Sequence, residues 1–238
     1  MIKVSHLYKT LNDQPVLSDI NLEVKEGEIL VILGASGAGK SVFLKHLVGL
    51  LSPDEGSIEI NAADITKLSE NDLLKLRKNI GYLFQDGALY DFMDVSENVA
   101  FPLEEHTDLS ESEIAEKVSQ ILKLVGLEGV EGKYPVELSG GMRKRAALAR
   151  CVVLNSKILL CDEPTSGLDP IRSQDITDLI KHISRQLKAT TVVASHDIKN
   201  AFRMADRLAL IHEGKLVLTG TPDEFAASKN PLVEDFLR

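Results

Sequence analysis

The chain has 238 residues, a net charge of −9, 44% hydrophobic residues and two cysteines. That length fills one large domain or a core with an insertion, and leaves ample material for a buried core. The acidic balance argues against a broad nucleic-acid-binding surface, and two cysteines make no disulfide framework.

The start, "MIKVSHLYKT", has no signal-peptide h-region, and no apolar run approaches the ~18 residues that span a bilayer. These features predict a chain that stays in the cytoplasm or a similarly reducing compartment. In "INLEV", alternation puts Ile20, Leu22 and Val24 on one strand face, and "KEGE" turns into the apolar strand "EILVIL". Directly after it comes "GASGAGKS", residues 34–41. Gly34, Gly39, Lys40 and Ser41 fit G-x-x-x-x-G-K-[ST], a loop whose bare N–H groups cradle phosphate oxygens. The loop Gly34, Ala35, Ser36, Gly37, Ala38, Gly39, Lys40, Ser41 and Val42 is therefore the expected nucleotide site. Lys40 would reach the β- and γ-phosphates, and Ser41 would ligate Mg²⁺. Helical spacing continues in "KSVFLKHLVGLL", predicting a helix over about 40–51.

"GSIEI" and "NIGYLF" read as short strands, the second leading to Gln85. From about residue 86 to 138 the pattern is helical. It includes a segment opened by Ser110-x-x-Glu113, a capping pattern. Beyond it, strands and helices alternate: "KILLC", "SQDITDLIKHISRQL", "TTVVAS", "KNAFRMA", "RLALI". Such alternation implies a largely parallel sheet covered on both faces. The fold class is α/β, with a helical subdomain at 86–138 inserted between core segments 1–85 and 139–238.

Two further elements carry chemistry. In "KILLCDEP", Asp162 and Glu163 are expected exposed at the C-terminal end of a buried strand, where parallel sheets place ligands. One carboxylate there holds Mg²⁺, and its neighbour orients and polarises an attacking water. In "ELSGGMRKRAALARCVVL", Ser139 caps a helix preceded by bare N–H groups. Arg143, Lys144 and Arg145 are expected to add positive potential. A second anion-binding helix start implies reading the phosphate of another molecule's nucleotide. Cys151 and Cys161 are expected as small buried residues, and the six histidines have no metal-ligand spacing.

"GASGAGKS", Gln85, "LSGGM", "LLCDE", "SGLD" and His196, in this order along nearly the whole chain, resemble the ATPase subunit of ATP-binding cassette (ABC) transporters. The resemblance implies the ABC ATPase fold: a P-loop NTPase with a RecA-like core, an N-terminal antiparallel β-subdomain and the inserted helical subdomain. It implies a homodimer, each ATP lying between one subunit's phosphate loop and Ser139, Gly140 and Gly141 of the other. The catalytic set becomes Glu163 as general base, Lys40, Gln85 and His196. Ser41, Gln85 and Asp162 hold Mg²⁺, His196 senses the γ-phosphate, and Asp169 bridges the two sites. Leu11 stands where many members stack an aromatic on adenine, with Tyr8 three residues away, so weak base selectivity is expected.

Met142 replaces the usual glutamine after "LSGG". With "GALYDFMDVSENVAFPLEEHT" it is similar to the Mla/Mce-type lipid-transport branch. That branch implies phospholipid trafficking through a separate integral membrane permease docked near Gln85 to Met93. A lipid-carrier (MCE-type) protein and a small cytoplasmic accessory subunit are further implied partners. The location would be peripheral, on the cytoplasmic face of the inner membrane. Each of Leu89, Tyr90, Phe92 and Met93 is expected either to line the permease groove or to pack in the subdomain core. Leu232, Val233, Phe236 and Leu237 form a small contact face in the tail. An importer ATPase for an amino acid or metal ion is the competing reading, since its catalytic residues would be the same.

Overall fold

The computed structural model describes residues 1–237. Two sheets divide the work. The first is antiparallel and contains β1 (Ile2–Leu11), β2 (Gln14–Val24), β4 (Glu55–Ile60) and β5 (Ala63–Asp64) in the order β2-β1-β4-β5. Ile20, Leu22 and Val24 are all buried, as the alternation predicts.

The second sheet has six strands. These are β3 (Ile29–Leu33), β6 (Ile80–Leu83), β7 (Ile158–Asp162), β8 (Thr190–Ser195), β9 (Arg207–His212) and β10 (Lys215–Gly220), in the order β10-β9-β3-β8-β7-β6. Pairing is parallel throughout except for the β9–β10 hairpin, which turns at Glu213 and Gly214, both with positive φ. Every residue of β3, β7 and β8 is buried, which is why those strands read as continuous apolar runs rather than alternating ones. One core packs between this sheet and the antiparallel sheet, and a second lies on its far face beneath the helical region.

Helices α1 (Lys40–Leu47) and α2 (Glu70–Arg77) precede β6. The first stops before the expected residue 51, because Gly49 takes a left-handed φ of 68° and ends it. Helices α3 (Val95–His106) and α4 (Glu111–Leu124) follow β6, each opened by a reciprocal capping box, Asp94 with Glu97 and Ser110 with Glu113. Helix α5 (Gly140–Val152) begins at Ser139, and α6 (Pro170–Leu187) at Asp169. The chain continues through α7 (Ile198–Met204), α8 (Pro222–Ala226) and α9 (Pro231–Leu237). The expected contact face in α9 is largely spent on the core: Val233 is fully buried, Phe236 and Leu237 pack on it, and Leu232 is exposed. No helix among the described residues is long and apolar enough to cross a membrane.

Candidate functional site

The C-terminal ends of β3, β7 and β8 converge on a pocket of about 510 Å³. Ala35, Ser36, Gly37, Gly39, Lys40, Ser41 and Val42 line one side, and Gln85, Glu163, Ser166 and His196 the other. Gly34 and Ala38 belong to the loop's foundation. A Cβ at Gly34 would lie 2.4 Å from the Ile211 carbonyl oxygen, and one at Gly39 would lie 2.8 Å from that of Val16. Gly39 also has φ 99°, which disfavours a side chain. These two glycines are therefore required by the chain's own close packing. A Cβ at Gly37 meets nothing within 4 Å, so only that glycine leaves open space toward a ligand.

Lys40 Nζ donates to the carbonyls of Gly34 at 2.7 Å and Ala35 at 3.0 Å, and lies 3.2 Å from Glu163 Oε1. The other carboxylate oxygen, Oε2, is 2.8 Å from His196 Nδ1. Ser41 Oγ donates to Asp162 Oδ1 at 2.7 Å. Asp162 and Glu163 were expected exposed, yet they are only 5% and 9% accessible because Ser41, Lys40 and His196 cover them. Burial pushes the Asp162 carboxyl above its ordinary range, opposed mainly by the Ser41 hydrogen bond. Glu163 sits at φ 45°, a left-handed conformation costly for a non-glycine residue. Strain of this kind concentrates where a side chain must be aimed.

Ser41, Asp162 and Gln85 supply hard oxygen donors, and a buried carboxylate whose charge burial disfavours is suited to a divalent cation. No group of three or more His, Cys, Asp or Glu among the described residues forms a protein-only metal site, so such a cation would lean on phosphate and water. Gln85 is loosely held, its Nε2 3.5 Å from Ser166 Oγ.

Val16 lines the pocket, and neither Leu11 nor Tyr8 is among its lining residues. Counting along β1 misses Val16, which arrives by the crossing of β2 over Gly39.

Ser139, Gly140, Gly141 and Asp169 are not brought to this pocket. Ser139 is exposed and its Oγ caps α5 through the Met142 N–H at 3.3 Å. Asp169 Oδ1 accepts from the Ile171 and Arg172 N–H groups at the exposed start of α6. The cations expected to add positive potential differ in exposure: Arg143 is exposed, Arg145 half-buried and Lys144 buried. Arg143 donates to the Leu138 carbonyl, Lys144 to that of Gln85, and Arg145 to that of Val125. Both cysteines are free. Burial pushes Cys151 up to about 12, and its thiol, half-buried rather than buried as expected, donates to the Tyr82 carbonyl.

Residues 89–93 split between the two alternatives. Leu89 packs on the core, whereas Phe92 is 74% exposed and Tyr90 38%. Tyr90 stacks with Phe92 and Phe101 beside a groove of about 390 Å³ lined by Tyr82, Phe84, Phe101 and Arg150.

The profile described as ABC transporter matches residues 17–166. The chain is 46% identical over 236 residues to the probable ribonucleotide transport ATP-binding protein mkl of Mycobacterium leprae, covering 99% of this chain and 68% of that one. It spans about two thirds of the length of such mycobacterial relatives. It is 40% identical to the intermembrane phospholipid transport system ATP-binding protein MlaF of Haemophilus influenzae, over 100% of this chain and 90% of that one. Among solved structures, the dimeric post-hydrolysis ATP-binding cassette MJ0796 bound to ADP and Pi superposes with a TM-score of 0.86 at 32% identity, over 93% of this chain and 99% of that one. With its phosphate loop, Glu163 and His196 assembled in one pocket, the chain belongs to the ABC transporter family as an ATP-hydrolysing cassette.

Proposed function

We propose that the chain drives phospholipid trafficking, working as a homodimer on a separate membrane permease at the cytoplasmic face of the inner membrane. The observation that carries the chemistry is Glu163, held by Lys40 through one oxygen and by His196 through the other. When ATP enters, phosphate oxygens compete for the Lys40 ammonium and draw it from Glu163. Oε1 is then free to take the proton of an attacking water, while His196 keeps Oε2 oriented. Gly37 and the N–H groups at the start of α1 receive the phosphates. Mg²⁺ held by Ser41, Gln85 and Asp162 would neutralise charge developing on the phosphoryl oxygens. Ser139, Gly140 and Gly141, remote from their own pocket, serve the partner's ATP, with Asp169 between the two sites.

Residues 1–85 and 139–238 act as the nucleotide-binding core. Residues 86–138 act as the helical subdomain that meets the permease, through the exposed Phe92 and the aromatic groove beside Tyr90. The likeness to MlaF over the full chain supports lipid as cargo, with an MCE-type carrier and a small accessory subunit as further partners. Import of a small solute such as an amino acid or metal ion is the second reading, supported by 39% identity over the full chain to the methionine import ATP-binding protein MetN of Campylobacter jejuni.

Affinity purification of the tagged subunit from its native membrane separates them. A permease accompanied by a lipid-carrier protein and extractable phospholipid is expected. A permease with a solute-binding protein and no lipid carrier overturns the lipid reading and leaves the ATPase intact. Phe92→Asp is expected to release the permease while ATP binding persists, since an unpaired carboxylate is costly in an apolar groove.

A further inference from the structure

Lys144 is the one cation of α5 that is buried, at 7% accessibility. No carboxylate among the described residues lies within ion-pair distance, and its ammonium instead donates to the main-chain carbonyl of Gln85. Burial pulls its pKa below the ordinary lysine value, opposed first by Asp86 and then by Asp162 and Glu163, which share its surroundings. Dehydrating an ammonium without an ion pair is expensive, and a leucine or methionine would fill the site at lower cost. Something other than packing therefore accounts for the charge.

Its surroundings give the reason. Gln85 leaves the end of β6 with its side chain held only by the 3.5 Å contact to Ser166. Its backbone, by contrast, is gripped from α5. One turn beyond Lys144, Ala147 abuts Gly87, where a Cβ would come to 3.1 Å. After another turn, Arg150 donates to the Gly87 and Ala88 carbonyls at 2.9 and 2.7 Å and lies over the Tyr90 ring. One face of α5 thus holds residues 85, 87 and 88 by their carbonyls.

We propose that Lys144 is a positioning residue for hydrolysis: by gripping the Gln85 main chain it presents the glutamine side chain to the phosphate pocket and ties it to the helix that starts at Ser139. This rests on the role given above to Gln85. Removing the ammonium leaves ATP its loop contacts but lets Gln85 drift.

A double-mutant cycle tests it in the full-length protein. Lys144→Met is expected to lower kcat by ~10-fold or more, toward the ~10² that misplacement by 1 Å costs. Radiolabelled ATP should bind within about threefold of wild type, and Lys144→Arg, which keeps a donor, should recover most of the rate. In a Gln85→Ala background Lys144→Met should cause no further loss. If Lys144→Met does not fold, Lys144→Gln takes its place in the same cycle. A kcat unchanged by Lys144→Met, or losses that multiply with Gln85→Ala, overturns the inference. A wild-type rate for Gln85→Ala would instead remove the role of Gln85, and this inference with it.

Discussion

His196 Nδ1 lies 2.8 Å from Glu163 Oε2, across the ends of two neighbouring strands, β8 and β7. Only one Glu163 oxygen is committed to that contact, and the other faces Lys40 at 3.2 Å. The carboxylate is thus oriented from one side and released from the other when the lysine finds phosphate.

Glu163→Gln keeps the shape and hydrogen-bonding reach of the side chain but removes the base. Steady-state assays should show kcat down by at least ~10²-fold with ATP still bound. Lys40→Ala should lose ATP binding itself. Near wild-type turnover in Glu163→Gln would assign the base elsewhere.

Ser139 lies outside its own chain's pocket, so a bulky charge there should spare ATP binding to the isolated subunit. Ser139→Arg is nevertheless expected to abolish hydrolysis in the intact complex and to prevent the ATP-dependent dimer of Glu163→Gln. A wild-type rate in a complex built with Ser139→Arg would mean that the sites are not shared.

Much of this was legible locally. The strand–glycine loop–helix and the Ser110 capping box are decided within a few residues, and the structure keeps both. What sequence missed depends on distant packing or weak periodicity. Helix α2 has no buried residue and little apolar rhythm, although Ser69, which caps Asp72, was an available signal. Lys144 shares a helical stripe with Ala147, Leu148 and Cys151, and that stripe points inward; reading the cations as a charged run hid it. The cover over Asp162 and Glu163 comes from residues more than 30 positions away.

Of Leu11, Tyr8 and Val16, only the aliphatic Val16 lines the pocket. An aliphatic wall offers apolar contact without the stacking worth ~1–3 kcal/mol per base on an aromatic ring. GTP is expected to be hydrolysed within about tenfold of ATP, a difference of ~1.4 kcal/mol. A preference for ATP beyond about a hundredfold, ~2.7 kcal/mol, would require adenine recognition from another group.

Acid sensitivity should trace partly to His46. The ring is fully buried in α1, with Nδ1 2.7 Å from the Val42 carbonyl, which can only accept, so that nitrogen carries the proton. Nε2 has no partner. Burial holds its pKa below the ordinary 6.5, opposed first by the backbone contact to Val42, with Lys9 adding to the effect of burial and the Ser52 backbone and Asp54 opposing it more weakly. Below 6.5 the unfolded chain therefore binds a proton that the folded one refuses, and stability falls as pH drops until the folded ring also titrates. The loss is at most about 1.4 kcal/mol per pH unit. Denaturant unfolding of wild type and His46→Gln at pH 7.5 and at pH 5.5 measures it (conditions set about one unit either side of the free value). The wild type should lose more stability between the two than the variant. Equal losses would mean that the ring is protonated in the folded chain as readily as in the unfolded one.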